Sequence, residues 1–446
     1  MVQADKDWQG ELRRTGIALL RDPTDAHALN DRAEAAGALG NWPMAVDCLV
    51  RLRDVIGDNP VLLRNLARTY LRVHDTDAAL AVMERLVASN PDSEEVETWA
   101  VLGAVLLTAG RTEAALDAIR RCEALHGPGH AANDINLATA LMRLDRWQEG
   151  FAAYERRWQV VDGETRAIRS RLSSLLDWNP RDGVGADLVI GTEQGYGDMI
   201  MVARWLPIIA ARARRVTFMA RPLLLELLEG NFRHISNLRF ALPEDVREWT
   251  YTHHLMAMSI PHAMGAKPDN LPGRHGYLSA ARWAGHRRRT RQRPAVGIVW
   301  RGSNQHAEDN VRSIPDALAV SFLVRSPHID FYALSPPGLQ SLRGSVPDNL
   351  YYPLKDGEGF EATAAVIEEM DLVISVDSSP CHLAGALGVP VWTLQRREPD
   401  WRWGKAAEER TPWYASMTQL RQPATGDWAG LLEQVTARLA GLGARA

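Results

Sequence analysis

The sequence predicts an α + α/β protein, an N-terminal α-helical repeat array followed by two Rossmann-like α/β domains. Three observations carry that prediction. Four segments recur at starts 34, 36 and 35 residues apart within the first 158 residues. From Ala186 onward, short apolar runs alternate with helical stretches. The segment Asp371 to Leu394 then packs an apolar strand, a polar turn, a small-residue helix and a second strand into one compact unit.

The repeats come first because a fixed period governs how every later motif is placed. The segments are Asn41-Trp-Pro-Met-Ala-Val-Asp-Cys-Leu49, Asp75-Thr-Asp-Ala-Ala-Leu-Ala-Val-Met83, Arg111-Thr-Glu-Ala-Ala-Leu-Asp-Ala-Ile119 and Arg146-Trp-Gln-Glu-Gly-Phe-Ala-Ala-Tyr154. In each, a small residue (Ala45, Ala79, Ala115, Gly150) precedes an apolar one (Val46, Leu80, Leu116, Phe151), the pattern of a closely packed helix face. Asn59-Pro60, Asn90-Pro91 and Gly127-Pro128 punctuate the helices, because proline cannot continue one and biases the residue before it out of the helical region.

Beyond Ala186 the expected strands are Asp187 to Thr192, Arg215 to Ala220, Leu238 to Leu242 and His254 to Met258 in one series. Ala295 to Trp300, Ile329 to Leu334, Leu372 to Val376 and Val389 to Leu394 form the second. Continuous apolar runs of this length suit strands buried on both faces of a parallel sheet. A helix from Trp283 running into the basic stretch His286-Arg-Arg-Arg-Thr-Arg-Gln-Arg293 separates the two series, and a helix from Trp428 to Leu442 closes the chain. The expected domains are 1–158, 159–290 and 291–446.

Composition narrows the function classes. Hydrophobic residues make up 46% and charged residues 24% of the 446, so neither disorder nor a membrane class is favoured. A net charge of −4 leaves no basic footprint for nucleic acid, and residues 286–293 read as a solvated linker. Cys48, Cys122 and Cys381 are scattered without a CxxC pair, against a disulfide framework or a zinc site. Charges occupy Met1 to Gln9 where a signal peptide would be apolar, and no apolar run reaches the length of a membrane span. These features favour a cytoplasmic address.

Three motifs stand where ligands of α/β sheets bind, beyond the carboxyl ends of the strands. Gly191-Thr-Glu-Gln-Gly-Tyr-Gly-Asp198 follows the first strand, with Gly195 and Gly197 permitting close backbone approach or a positive φ. Asp198 at the following helix start is either an N-terminal cap or a poised base. Trp300-Arg-Gly-Ser-Asn304 and Arg312-Ser-Ile-Pro315 follow the first strand of the second series. There Arg301 and Arg312 could each give a diphosphate charge-assisted hydrogen bonds, the alternative for Arg301 being an ordinary surface arginine. Asp377-Ser378-Ser379 opens a helix after Leu372 to Val376, a place where free N–H groups point at an anion, with His382 one turn further on.

The repeat pattern resembles tetratricopeptide repeats, whose superhelices present a concave face to peptides or proteins. A buttressing role, or pairing of two chains into a homodimer through the repeats, is the alternative use of such an array. The three motifs together, with Ala203-Arg-Trp-Leu-Pro207 and Pro399-Asp-Trp-Arg-Trp403, resemble heptosyltransferase-like glycosyltransferases of the GT-B class carrying an N-terminal tetratricopeptide array. That resemblance implies a GT-B arrangement of the two α/β domains and transfer of a sugar from a nucleotide-diphosphate donor. The implied acceptor is a hydroxyl, a Ser or Thr of a protein held by the array. It implies Asp198 as the base toward that hydroxyl and Arg312 near the donor diphosphate. Asp377, Ser378, Ser379 and His382 correspond to the donor-phosphate turn.

An inverting transfer of this kind needs one base and donors for the departing diphosphate, so no cofactor and no metal is obligatory. A saccharide or lipid-linked acceptor, or a non-catalytic scaffold, are the competing expectations. The run Gln395-Arg-Arg-Glu398 is more charged than the family pattern, which points to an acidic or unusual donor.

Overall fold

The computed structural model describes residues 7–161, 163–181, 185–280, 293–303, 309–335, 342, 346–398, 400–404 and 408–441. It divides into two compact units, one ending at Leu144 and one beginning at Asp145. The expected helix from Trp283, and Asn304 and Pro399 of the motifs, lie outside the described residues.

The first unit is a succession of helices: α1 (Trp8–Arg21), α2 (Ala26–Ala38), α3 (Trp42–Ile56), α4 (Pro60–Arg72), α5 (Thr76–Ser89), α6 (Val96–Thr108), α7 (Thr112–His126) and α8 (Ala131–Arg143). Each packs on the next, and α4, α6 and α8 also touch in series, which is how paired helices stack into a solenoid. The repeated segments open α3, α5 and α7, and their small residues Ala45, Ala79 and Ala115 are buried at the helix contacts. Polar side chains start the helices. Asp25, Asn41 and Asp75 accept hydrogen bonds from Ala28, Met44 and Ala78 N–H, satisfying amides that have no partner within the helix. Asn59 caps α4 and Pro60 is its first residue, where a missing N–H costs nothing.

The fourth repeated segment opens α9 (Trp147–Tyr154), which lies in the second unit. There Trp147 stacks on Trp413 with ring centroids 4.8 Å apart, and Phe151 meets Trp401 edge-on at 5.7 Å. A helix Gly163–Leu172 then leads into two parallel sheets. The first comprises β1 (Leu176–Asp177), β2 (Asp187–Gly191), β3 (Arg215–Met219), β4 (Leu238–Ala241) and β5 (His253–Met256), in the order β1-β5-β2-β3-β4. The second comprises β6 (Ala295–Val299), β7 (Asp330–Ala333), β8 (Leu350–Tyr351), β9 (Leu372–Val376), β10 (Val391–Gln395) and β11 (Met417–Arg421), in the order β11-β10-β9-β6-β7-β8.

Every ladder between these strands is parallel. β2, β6 and β9 are buried along their whole length, as their apolar runs require. In each sheet the strand order reverses beside its first long strand, between β2 and β5 and between β6 and β9. Such reversals leave a crevice at the carboxyl ends of the two strands, where connections depart to opposite sides. The loops after β2, β6 and β9 are therefore placed to form a site. The short strands β1 and β8, and β11 with Thr418 and Gln419 inside Met417–Arg421, complete the sheets without a continuous apolar run. Among the described residues no helix is long and apolar enough to cross a membrane.

Candidate functional site

Helix Tyr196–Ala203 follows β2, helix Ser379–Leu387 follows β9, and the two pack against each other. Their first turns close around one cavity of about 520 Å3. Its walls include Gln194 to Asp198 from the first loop, Asp377 to Ser379 and His382 from the second, and Arg312 from the loop after β6. Arg221, Arg396 and Arg402 also face it, together with Asp400. Four arginines around two helix starts make a site for an anion larger than one phosphate.

The contact between the helices depends on a missing side chain. A Cβ on Gly197 would lie 2.6 Å from Cδ2 of His382, so any other residue there would push the two helix starts apart. Close approach, not a positive φ, is what this glycine supplies; within the turn the positive φ falls on Gln194, at 60°. Gly388, in the left-handed region at φ 74°, ends the second helix.

Asp198 is the cap that its position allowed, and it is also paired with an arginine. Its Oδ2 accepts the Gly195 N–H at 3.1 Å, capping the helix, while its Oδ1 faces Arg402. Arg402 donates to that oxygen through Nε at 2.8 Å, its terminal nitrogen lies 2.5 Å away, and both side chains are largely buried. The same guanidinium donates to Asp400 Oδ1 at 2.6 Å and lies over the Trp401 ring. Burial works against the Arg402 charge, but Asp198 and Asp400 outweigh it and hold its pKa above the ordinary arginine value.

His382 is buried, and its Nδ1 is 3.0 Å from the Tyr414 hydroxyl. Its ring lies against Trp403, with centroids 5.0 Å apart. Burial pulls its pKa down to about 4, only partly opposed by Asp198, so the imidazole is neutral near pH 7 and offers a hydrogen bond and not a charge. Asp377 is held above the usual carboxylate range by burial and then by Asp400. Ser378 stands at the N-cap position of the second helix in an extended conformation without capping it through its side chain, and its hydroxyl donates to the Val376 carbonyl at 3.2 Å and lies 3.1 Å from that of Ser375.

Asp377, Cys381 and His382 bring one ligand-type atom each within 4.8 Å of one another. The Cys381 thiol is buried, and desolvation pushes its pKa up.

Of the residues singled out from the sequence, Gly195, Gly197, Asp198, Arg312, Asp377, Ser378, Ser379 and His382 line the cavity. Arg301 is not among the lining residues. It forms an exposed ion pair with Asp316 at 2.6 Å, and that carboxylate also accepts the Trp300 indole N–H. Sequence reasoning did not single out Arg221, Asp400 or Arg402, the last two sitting in the Pro399-Asp-Trp-Arg-Trp403 motif without an assigned role; Arg396 belongs to the charged run Gln395 to Glu398 noted beside the donor.

A second feature absent from the sequence reading braces the first loop from below. Glu193, fully buried, accepts Arg157 Nε at 3.0 Å and a terminal nitrogen at 2.8 Å, and also takes the Met258 N–H at 2.7 Å. Arg157 further donates to Ser259, and its guanidinium lies 3.8 Å from the Trp158 ring centroid. These bonds tie the loop after β2 to the loop after β5 across the crevice of the first sheet.

Residues 358–427 match the profile of glycosyltransferase family 9 (heptosyltransferase). That span begins before the helix Phe360–Glu368 and includes the Asp377 turn, His382 and Arg402. Protein FlbA of Caulobacter vibrioides is 24% identical over 454 residues, which covers 94% of this chain and 74% of the relative. Among solved structures, MamA is 17% identical over 34% of this chain and 88% of its own, with a TM-score of 0.31. YrrB, described as a TPR protein with an unusual peptide-binding site, is 17% identical over 37% of this chain and 83% of its own, also with a TM-score of 0.31.

Proposed function

We propose that this chain, a tetratricopeptide-like array joined to a glycosyltransferase family 9 segment, moves a sugar from a nucleotide-diphosphate donor to a hydroxyl acceptor. The observation that carries the proposal is the convergence of Asp198 with the Asp377-Ser378-Ser379-His382 helix start in one arginine-lined cavity. The diphosphate sits at the second helix start, where backbone N–H groups and arginines take up the charge that grows on the leaving group. Neutral His382 donates or accepts a hydrogen bond to the donor without adding charge. Asp198 takes the acceptor proton as the hydroxyl attacks from the opposite face, which makes the transfer inverting.

No metal is required in this scheme, because arginines and helix N–H groups balance the diphosphate. In this reading the two parallel sheets are the two halves of a GT-B arrangement, which their strand-order reversals support. The helical array presents the acceptor, a Ser or Thr of a bound protein, and the reaction takes place in the cytoplasm.

The test is a panel of nucleotide sugars followed by thermal shift, then incubation of labelled donor with lysate. A single nucleotide sugar that stabilises the chain, and label entering a protein band, support the reading. Label entering a glycolipid moves the acceptor to a lipid-linked glycan, and no binding by any nucleotide sugar removes the transferase reading.

A further inference from the structure

A carboxylate held by a guanidinium is a weakened base. Asp198 has one oxygen on its own helix N–H and the other on Arg402, so each oxygen already holds a donor that an acceptor hydroxyl must share or displace. Yet Arg402 lies on the wall of the same cavity as the helix start at Ser378, beside Arg312 and Arg396. Asp400 holds the guanidinium by a separate nitrogen at 2.6 Å, so Arg402 can let go of Asp198 without leaving the site.

We propose that Arg402 is a donor-operated latch on Asp198: the incoming diphosphate takes the guanidinium, and only then does Asp198 become free to act as base. The inference rests on the transferase reading above and adds to it a binding order, donor before acceptor. Charge decides the exchange. A diphosphate carries more negative charge than one carboxylate and presents oxygens suited to paired N–H donors, so it competes well for a guanidinium that Asp400 keeps in place. The latch also keeps the base from acting while the donor is absent.

Competition of this kind has a signature in binding alone. UDP, GDP, ADP, CDP and inorganic pyrophosphate are titrated calorimetrically into the full chain, and the tightest of them is carried through a double-mutant cycle. Asp198→Asn removes the competitor for Arg402 and is expected to tighten that probe about fivefold, within the range of partly exposed ion pairs. Arg402→Gln is expected to weaken it about tenfold, and in that background Asp198→Asn should gain less than twofold. Arg402→Met, which keeps the apolar stem over Trp401 and removes the charge, supplies the same comparison if the glutamine variant does not fold.

Unchanged or weaker binding by Asp198→Asn would mean that the pair is only a brace for the diphosphate site, and would overturn the latch. An equal gain in both backgrounds would mean simple repulsion between carboxylate and phosphate, and would overturn it as well. No binding of any probe by the unaltered chain would take down the transferase reading itself.

Discussion

Asp198 and Arg402 stand 204 residues apart in the chain and meet through Oδ1 and Nε at 2.8 Å. One belongs to the helix after β2, the other to the motif after β10, so the pair links the two parallel sheets at the wall of the cavity. Everything assigned to the site follows from that placement. The first sheet brings a carboxylate, the second brings a helix start and cations, and the glycine at 197 lets them close to within contact distance of His382.

The two arginines expected at the diphosphate should separate in a binding experiment. Arg312 lines the cavity, while Arg301 is occupied by Asp316 on the exposed side of the loop. Arg312→Ala is expected to lower nucleoside-diphosphate affinity about tenfold, the loss of a charge-assisted hydrogen bond. Arg301→Ala should change it by less than about twofold, as a surface ion pair does. Calorimetric titration of both variants checks this.

His382 makes stability depend on pH with a definite sign. Its folded value of about 4 lies below the ordinary 6.5, so the unfolded chain binds a proton in that window that the folded chain refuses. The contribution is full above 6.5 and is lost as pH falls through about 4, by up to roughly 3 kcal/mol. Thermal midpoints should therefore drop between pH 6.5 and 4, and His382→Gln should flatten that drop. An equal slope in both proteins would place the sensitivity elsewhere.

The brace beneath the first loop should matter for folding before it matters for chemistry. Arg157 and Glu193 have side-chain exposures of 1% and 0%. Replacing Glu193 with Ala leaves the buried Arg157 with Glu155 as its remaining carboxylate and the Met258 N–H unpaired, a cost of about 3 kcal/mol. Urea denaturation followed by tryptophan fluorescence should show the midpoint fall for Glu193→Ala. Little change would mean that water or rearrangement replaces the carboxylate.

The strands that the sequence revealed are those built around a cluster of apolar residues. β2 to β7, β9 and β10 all fall within two residues of their expected bounds, because the sheet buries that cluster. β11 was hidden because Thr418 and Gln419 interrupt its pattern, and β1 and β8 because two residues carry no period at all. At the site, the glycine turn and the serine helix start were legible because each chemistry is local to a few residues. Arg402 was not, since its role depends on Asp198 from the other sheet. Glu193 was likewise hidden: next to a glycine turn a glutamate looks like any loop carboxylate, and its partner Arg157 lies in a helical turn 36 residues before it.

The fourth repeated segment shows the same limit from the other direction. Its spacing matches the first three, yet α9 packs its Trp147 and Phe151 into the tryptophan cluster of Trp401 and Trp413. Helical period records which face is apolar, and not what that face will be buried against.

The most direct test of the central claim is transfer of a labelled sugar by the unaltered chain and by Asp198→Asn, with donor affinity measured on both. The account predicts that the variant tightens its hold on the nucleotide sugar while turnover falls by at least about 100-fold, the share of rate that a positioned base supplies. Turnover by Asp198→Asn at the rate of the unaltered chain would contradict it.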